Sequence, residues 1–167
     1  MIYLDARPLI RSGDLLAWSA RESPWASWHA FKIWLVRLFT RSEFSHVGTA
    51  WCVGERVFVI EAVRPAVRIM PLSKTPSFYW LPLHAAWGYR ALNYALAKVG
   101  EPYSQLQAVQ ALFGTPADDE RWECAELAAR CALQDGIDLG STYTPAGVVE
   151  RALAAGASLT LVTHEAP

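Results

Sequence analysis

Three residues in this sequence have types and spacing that can work together as chemistry: His46, Glu61 and Cys124. His46 sits in the strand-like run Ser45 to Cys52, and Glu61 in the run Arg56 to Val63, joined through Val53-Gly54-Glu55. With Val53 and Gly54 as a two-residue hairpin loop, His46 stands directly opposite Glu61 and both side chains leave the same face. A carboxylate beside an imidazole fixes its tautomer and stabilises its protonated form, which are the two services a catalytic base requires. On an exposed sheet the same pair is an ordinary cross-strand ion pair. A slip of two residues leaves the face unchanged.

Cys124 opens a helix expected from about Cys124 to Gln134. The partial positive charge of a helix N-terminus favours a thiolate, and a neighbouring imidazolium favours it further. Cys124, Ala128, Cys131 and Ala132 fall on one helix face as a stripe of small side chains. Gly48 and Ala50 share the strand face of His46, so the helix is expected to pack there and bring Cys124 to the imidazole. Cys124 is therefore expected to be the one thiol that combines thiolate character with exposure. Cys131 is mid-helix and Cys52 is at a strand end, positions where cysteine serves as a small hydrophobe. The 3 cysteines include no Cys-x-x-Cys pair, which indicates neither a disulfide framework nor a zinc knuckle. Cys124 and Cys131 would be separated by about 10.5 Å of helical rise, too far for a disulfide.

Several elements must position these residues. Residues 11–18 read as a turn and a short strand. Trp28, Phe31, Leu35 and Leu38 have helical spacing, so residues 28–39 read as an amphipathic helix, packed on the core and bordering the site rather than anchoring a membrane. Pro65, Pro71, Pro76 and Pro82 confine residues 64–83 to short extended pieces and loops. A helix from about Trp87 to Val99 stops at Gly100, with Pro102 just beyond. Thr144 caps a last helix, Pro145 to Ala155, with Pro145 at its first position, and Leu159 to Val162 offers a final strand. The expectation is one α+β domain over residues 1–167, with a small antiparallel sheet or half-barrel against helices.

These residues resemble a known family. Ser45-His46-Val47-Gly48, preceded by Gly13-Asp14-Leu15-Leu16, is similar to two strands of NlpC-type cysteine peptidases. Gly100-Glu101-Pro102-Tyr103 and Trp122-Glu123-Cys124-Ala125-Glu126-Leu127 are similar to that superfamily's Gly-x-Pro-Tyr segment and nucleophile helix. The order is inverted, with His46 and Glu61 ahead of Tyr103 and Cys124, as in the circularly permuted branch of this papain-like superfamily. The resemblance implies Cys124 as nucleophile, His46 as base and Glu61 as the group that orients it. It places Tyr103 near the nucleophile, where the hydroxyl could meet a developing oxyanion; a core Tyr with one satisfied hydroxyl is the plainer alternative. Ala125 departs from the family's serine at that position. Glu126 reads as a helix-start carboxylate, and His29, His84 and His164 as ordinary surface or packing residues.

The function expected is a thiol hydrolase that cleaves an amide, in a peptide or a cell-wall peptide, without cofactor or metal. A lipid ester hydrolase or acyltransferase using the same site is the first alternative, with the aromatic Trp25 to Phe39 segment as an apolar groove. A non-catalytic binding or assembly component is the second. Fifteen Lys and Arg against 16 Asp and Glu give a net charge of −1, which supplies no basic field for nucleic acid. No run of about 18 apolar residues suggests a membrane span. Met1 to Arg7 lacks the pattern of a secretory signal, so the default location is cytoplasmic, with phage- or secretion-associated export left open.

Overall fold

The computed structural model describes residues 1–19, 44–84, 87–103, 123–141 and 144–164. The expected helix at residues 28–39, the Trp25 to Phe39 groove, His29 and Trp122 lie outside these residues.

Six strands form one sheet: β1 Leu15–Ser19, β2 Phe44–Val53, β3 Arg56–Val63, β4 Ala66–Pro71, β5 Phe78–Leu81 and β6 Thr160–Val162. Their order across the sheet is β4-β3-β2-β1-β5-β6, and each neighbour is antiparallel. The helices are α1 Tyr3–Ala6, α2 Tyr89–Ala97, α3 Cys124–Leu133 and α4 Pro145–Ala154. This is an α+β architecture with an antiparallel sheet packed against helices. The proline-rich stretch holds more regular structure than its composition suggests. Its extended pieces join the sheet separately, β4 beside β3 and β5 between β1 and β6, and Pro71 ends β4 while Pro65 sits in the loop before it.

Strand alternation separates two apolar layers. Leu15, Ala17 and Val47 face α3 and α4, where Ala125, Ala128 and Ala129 let the α3 backbone come close to the sheet. Ile60, Ala62 and Val67 meet Leu127 and Cys131 farther along α3. Leu16, Trp18, Ala50, Val59 and Phe78 form the opposite layer, closed by Tyr3 and Ala6 of α1. The expected packing of α3 on the face of Gly48 and Ala50 is therefore corrected. The small helix stripe seats instead on the Ala17–Val47 face, because those positions offer the apolar partners, while Ala50 is filled from the other side.

Local signals explain the helix limits. The Thr144 hydroxyl accepts from the Gly147 N–H at 3.1 Å, a cap whose loss costs about 1 kcal/mol. Helix α3 is rich in alanine, the strongest helix former, and carries an i,i+4 ion pair between Glu126 and Arg130 at 2.7 Å. Helix α2 ends before Gly100, which takes φ +91°.

Candidate active site

The hairpin that carries His46 and Glu61 turns one residue later than expected. Val53 pairs with Arg56, so Gly54 and Glu55 are the loop, and Gly54 takes φ +57° at the first loop position, where a II′ turn favours glycine. This register sets Gly48, and not His46, beside Glu61. A Cβ built on Gly48 would lie 3.2 Å from that of Glu61 and would collide with Val59 at 2.6 Å, so this position has room only for glycine. His46 reaches Glu61 along the diagonal, two residues on, which is within range of a long side chain. Imidazole Nε2 and Glu61 Oε2 are 2.6 Å apart.

A bulge adjoins His46. Trp18 pairs with His46 but Ser19 pairs with Phe44, leaving Ser45 as an extra residue on β2 whose hydroxyl donates to the Trp18 carbonyl at 3.3 Å. Bulges disrupt the ladder and re-aim side chains. Phe44 accordingly packs with the helix-side layer, edge-on to Tyr79. At this irregular point the imidazole comes within hydrogen-bonding reach of the Cys124 side chain. With Nε2 engaged by Glu61, Nδ1 is the ring nitrogen left for the sulfur. The Trp18 ring lies 5.3 Å from the imidazole, centroid to centroid, on the strand beside it.

The electrostatics are strong. Burial alone would push His46 down, but the charge and hydrogen bonds of Cys124 and Glu61 outweigh it and raise the imidazole to about 10. Burial pushes Glu61 up, while His46 and Arg68 pull harder and hold it below 4.5. Arg68 is directly opposite Glu61 across β3 and β4, with Nε at 2.8 Å and Nη2 at 2.7 Å from Oε1. The sequence reading did not single out Arg68. The signal was the Val63–Ala66 hairpin, which becomes visible once residues 66–71 are read as a strand.

Tyr103 is half-buried beside this cluster. Its N–H donates to the Pro65 carbonyl at 3.0 Å, and burial, with the charges of Cys124 and Glu123 nearby, pushes its hydroxyl well above the usual tyrosine range. Cys124 itself is only 9% exposed, and Cys52 is more open, so the expected exposure of Cys124 is corrected. Cys52 bonds the Ile10 carbonyl through its sulfur, and burial pushes Cys131 up to about 12. Both are packing residues. His84 is exposed with φ +58°, and His164 packs against Tyr3 and Phe78.

No family model matches the sequence, and no curated protein matches it. A solved structure does: the metalloprotein YiiX from Escherichia coli O157:H7, 18% identical, with a TM-score of 0.59, over 94% of this chain and 98% of that one. The likeness is one of fold. Among the described residues no group of three His, Cys, Asp or Glu is placed to hold a metal ion, and no helix is long and apolar enough to cross a membrane.

Proposed function

We propose that this chain is a thiol hydrolase that cleaves an amide bond through an acyl-enzyme on Cys124, on a papain-like NlpC-type fold in circularly permuted order. The observation that carries this reading is the shared imidazole: Glu61 at 2.6 Å on Nε2, with Cys124 in reach of the same ring. An imidazole raised to about 10 holds its proton at neutral pH. In the proposed mechanism the nucleophile is the Cys124 thiolate beside this imidazolium, the form in which a thiol attacks a carbonyl. The thiolate attacks the carbonyl carbon, and the first turn of α3 directs its N–H groups toward the developing oxyanion. His46 gives its proton to the leaving amine as the C–N bond breaks, leaving a thioester. The neutral imidazole then takes a proton from water, the hydroxide displaces sulfur, and the ion pair is restored. Glu61 keeps the ring in one orientation throughout. Tyr103, whose hydroxyl feels the charge of Cys124, is the candidate to share in binding the oxyanion.

The structural neighbour is described as a metalloprotein, but the described residues of this chain do not group as ligands for a metal ion, so every step is carried by the chain's own side chains. The test is intact-mass spectrometry during incubation with a panel of peptides and cell-wall stem peptides. A transient acyl adduct on Cys124, absent from Cys124→Ala, is expected. Turnover that survives Cys124→Ala, or adducts carried elsewhere, would overturn the reading. Loss of the thiolate nucleophile is expected to lower kcat by about 10⁴-fold or more.

A further inference from the structure

Glu61 is a buried carboxylate with two cationic neighbours, and they divide its oxygens: His46 holds Oε2 and Arg68 holds Oε1. The Arg68 side chain is 49% exposed, yet Nε and Nη2 converge on one oxygen as a fork, a geometry that a point charge cannot reproduce. The pairing follows from the ladder itself, since β3 and β4 place residues 61 and 68 directly opposite one another. Gly48 adds a constraint from β2: with no Cβ there, the carboxylate stem is approached closely on that side.

We infer that Arg68 is a positioning residue, which holds the Glu61 carboxylate ionised and aimed at His46 from the far side of the catalytic cluster. The inference rests on the reading of His46 and Glu61 as a working pair, and extends it by one strand. Without Arg68, Oε1 is buried beside no cation, and the carboxylate either takes up a proton more readily or rotates away from the imidazole. Either outcome loosens the ring. The titratable and charged groups around this position are His46 from β2, Arg68 from β4 and, across the imidazole, Cys124 from α3, whose charge, with that of Glu123, also acts on Tyr103. Of these, Arg68 is the cation that takes no part in proton transfer.

Charge and geometry separate by substitution. Arg68→Met removes both, Arg68→Gln keeps a donor without the charge, and Arg68→Lys keeps the charge without the fork. The measurement is the titration of the Glu61 carboxyl carbon by NMR in the full chain with labelled glutamate, assigned with Glu61→Gln. Arg68→Met and Arg68→Gln are expected to raise the proton affinity of Glu61 at least tenfold. Arg68→Lys is expected to keep it near the wild-type value while lowering kcat with KM unchanged. Should Arg68→Met fail to fold, Arg68→Gln against Arg68→Lys decides the matter alone. An unchanged Glu61 midpoint in Arg68→Gln, or one that moves as far in Arg68→Lys, overturns the inference. The titration needs no turnover, so an absence of hydrolysis would count against the thiol-hydrolase reading without deciding the role of Arg68.

Discussion

Asp14 and Glu61 are both buried carboxylates, 2% and 4% exposed, the first just ahead of β1 and the second within β3, and their proton affinities are shifted in opposite directions. Asp14 accepts from the Arg11 N–H at 2.9 Å and the Trp80 indole N–H at 2.8 Å on one oxygen, and from the Leu83 N–H at 3.2 Å on the other. All three donors are neutral. Burial therefore prevails, and Asp14 is pushed above 3.8. Glu61 has two charged donors, which prevail over burial and hold it low. Burial of an acid thus does not by itself mark a working site; the charge of its partners separates the two. Asp14 ties the start of β1 to the segment after β5, and Glu61 faces the His46 imidazole, the group to which the proposed function gives the proton transfers.

The comparison sharpens most under paired substitution. Glu61→Gln presents an amide with one donor face and one acceptor face to two cationic donors, so one of the two pairings must break in either orientation. A loss of about 10²- to 10⁴-fold in kcat is expected, with little change in the amount of folded protein. Asp14→Ala is expected to do the reverse. It leaves three N–H donors without their acceptor and costs about 2–4 kcal/mol of stability, with kcat of the folded fraction nearly unchanged. Chemical denaturation and steady-state kinetics on the two variants check this, and the comparison breaks if both variants lose the same property.

A smaller effect is the sign of the pH dependence. The folded-state value of Asp14 lies above 3.8, so its contribution to stability is full below that and is lost as pH rises through the folded value. Glu61 lies below 4.5, so its contribution is present above 4.5 and is lost as pH falls through the folded value. Between about pH 3 and 6, the stability of the wild type relative to Asp14→Asn should fall as pH rises, and relative to Glu61→Gln it should grow. His46, raised from 6.5 to about 10, adds stability that is full below 6.5 and fades as pH rises through about 10. The alkaline limb of kcat/KM is expected near that upper value. Urea titrations across the pH series provide the check, and slopes of equal sign for the two carboxylates would contradict the contrast.

Much of this was legible in the sequence because short-range signals dominate it. Gly54 marks the hairpin turn, Thr144-Pro145 marks the start of α4, and the alanine-rich run after Cys124 marks α3. The sequence alone leaves the turn ambiguous by one residue, because both Val53-Gly54 and Gly54-Glu55 satisfy a loop with one glycine, and only the pairing partners decide for Gly54-Glu55 over the expected Val53-Gly54. His46 and Glu61 still meet, since a slip of two keeps the face. The face that receives α3 was not legible. Gly48 and Ala50 look like a seat for a small-sided helix, but Gly48 is small because β3 crowds it and Ala50 because the opposite layer fills it. The role of Asp14 is hidden too, since two of its three donors come from residues 80 and 83, far along the chain. Proline content masked β4 and with it Arg68, although each proline sits where a strand tolerates one.

The central claim is that Cys124 and His46 form one ionised pair, and thiol reactivity reads it directly. Brief treatment of the native protein with iodoacetamide, followed by mapping of the alkylated cysteine by mass spectrometry, should label Cys124 first although Cys52 is more exposed. His46→Gln should slow that labelling while leaving Cys52 unaffected. Labelling of Cys52 as fast as Cys124, or a Cys124 rate indifferent to His46→Gln, would contradict the account.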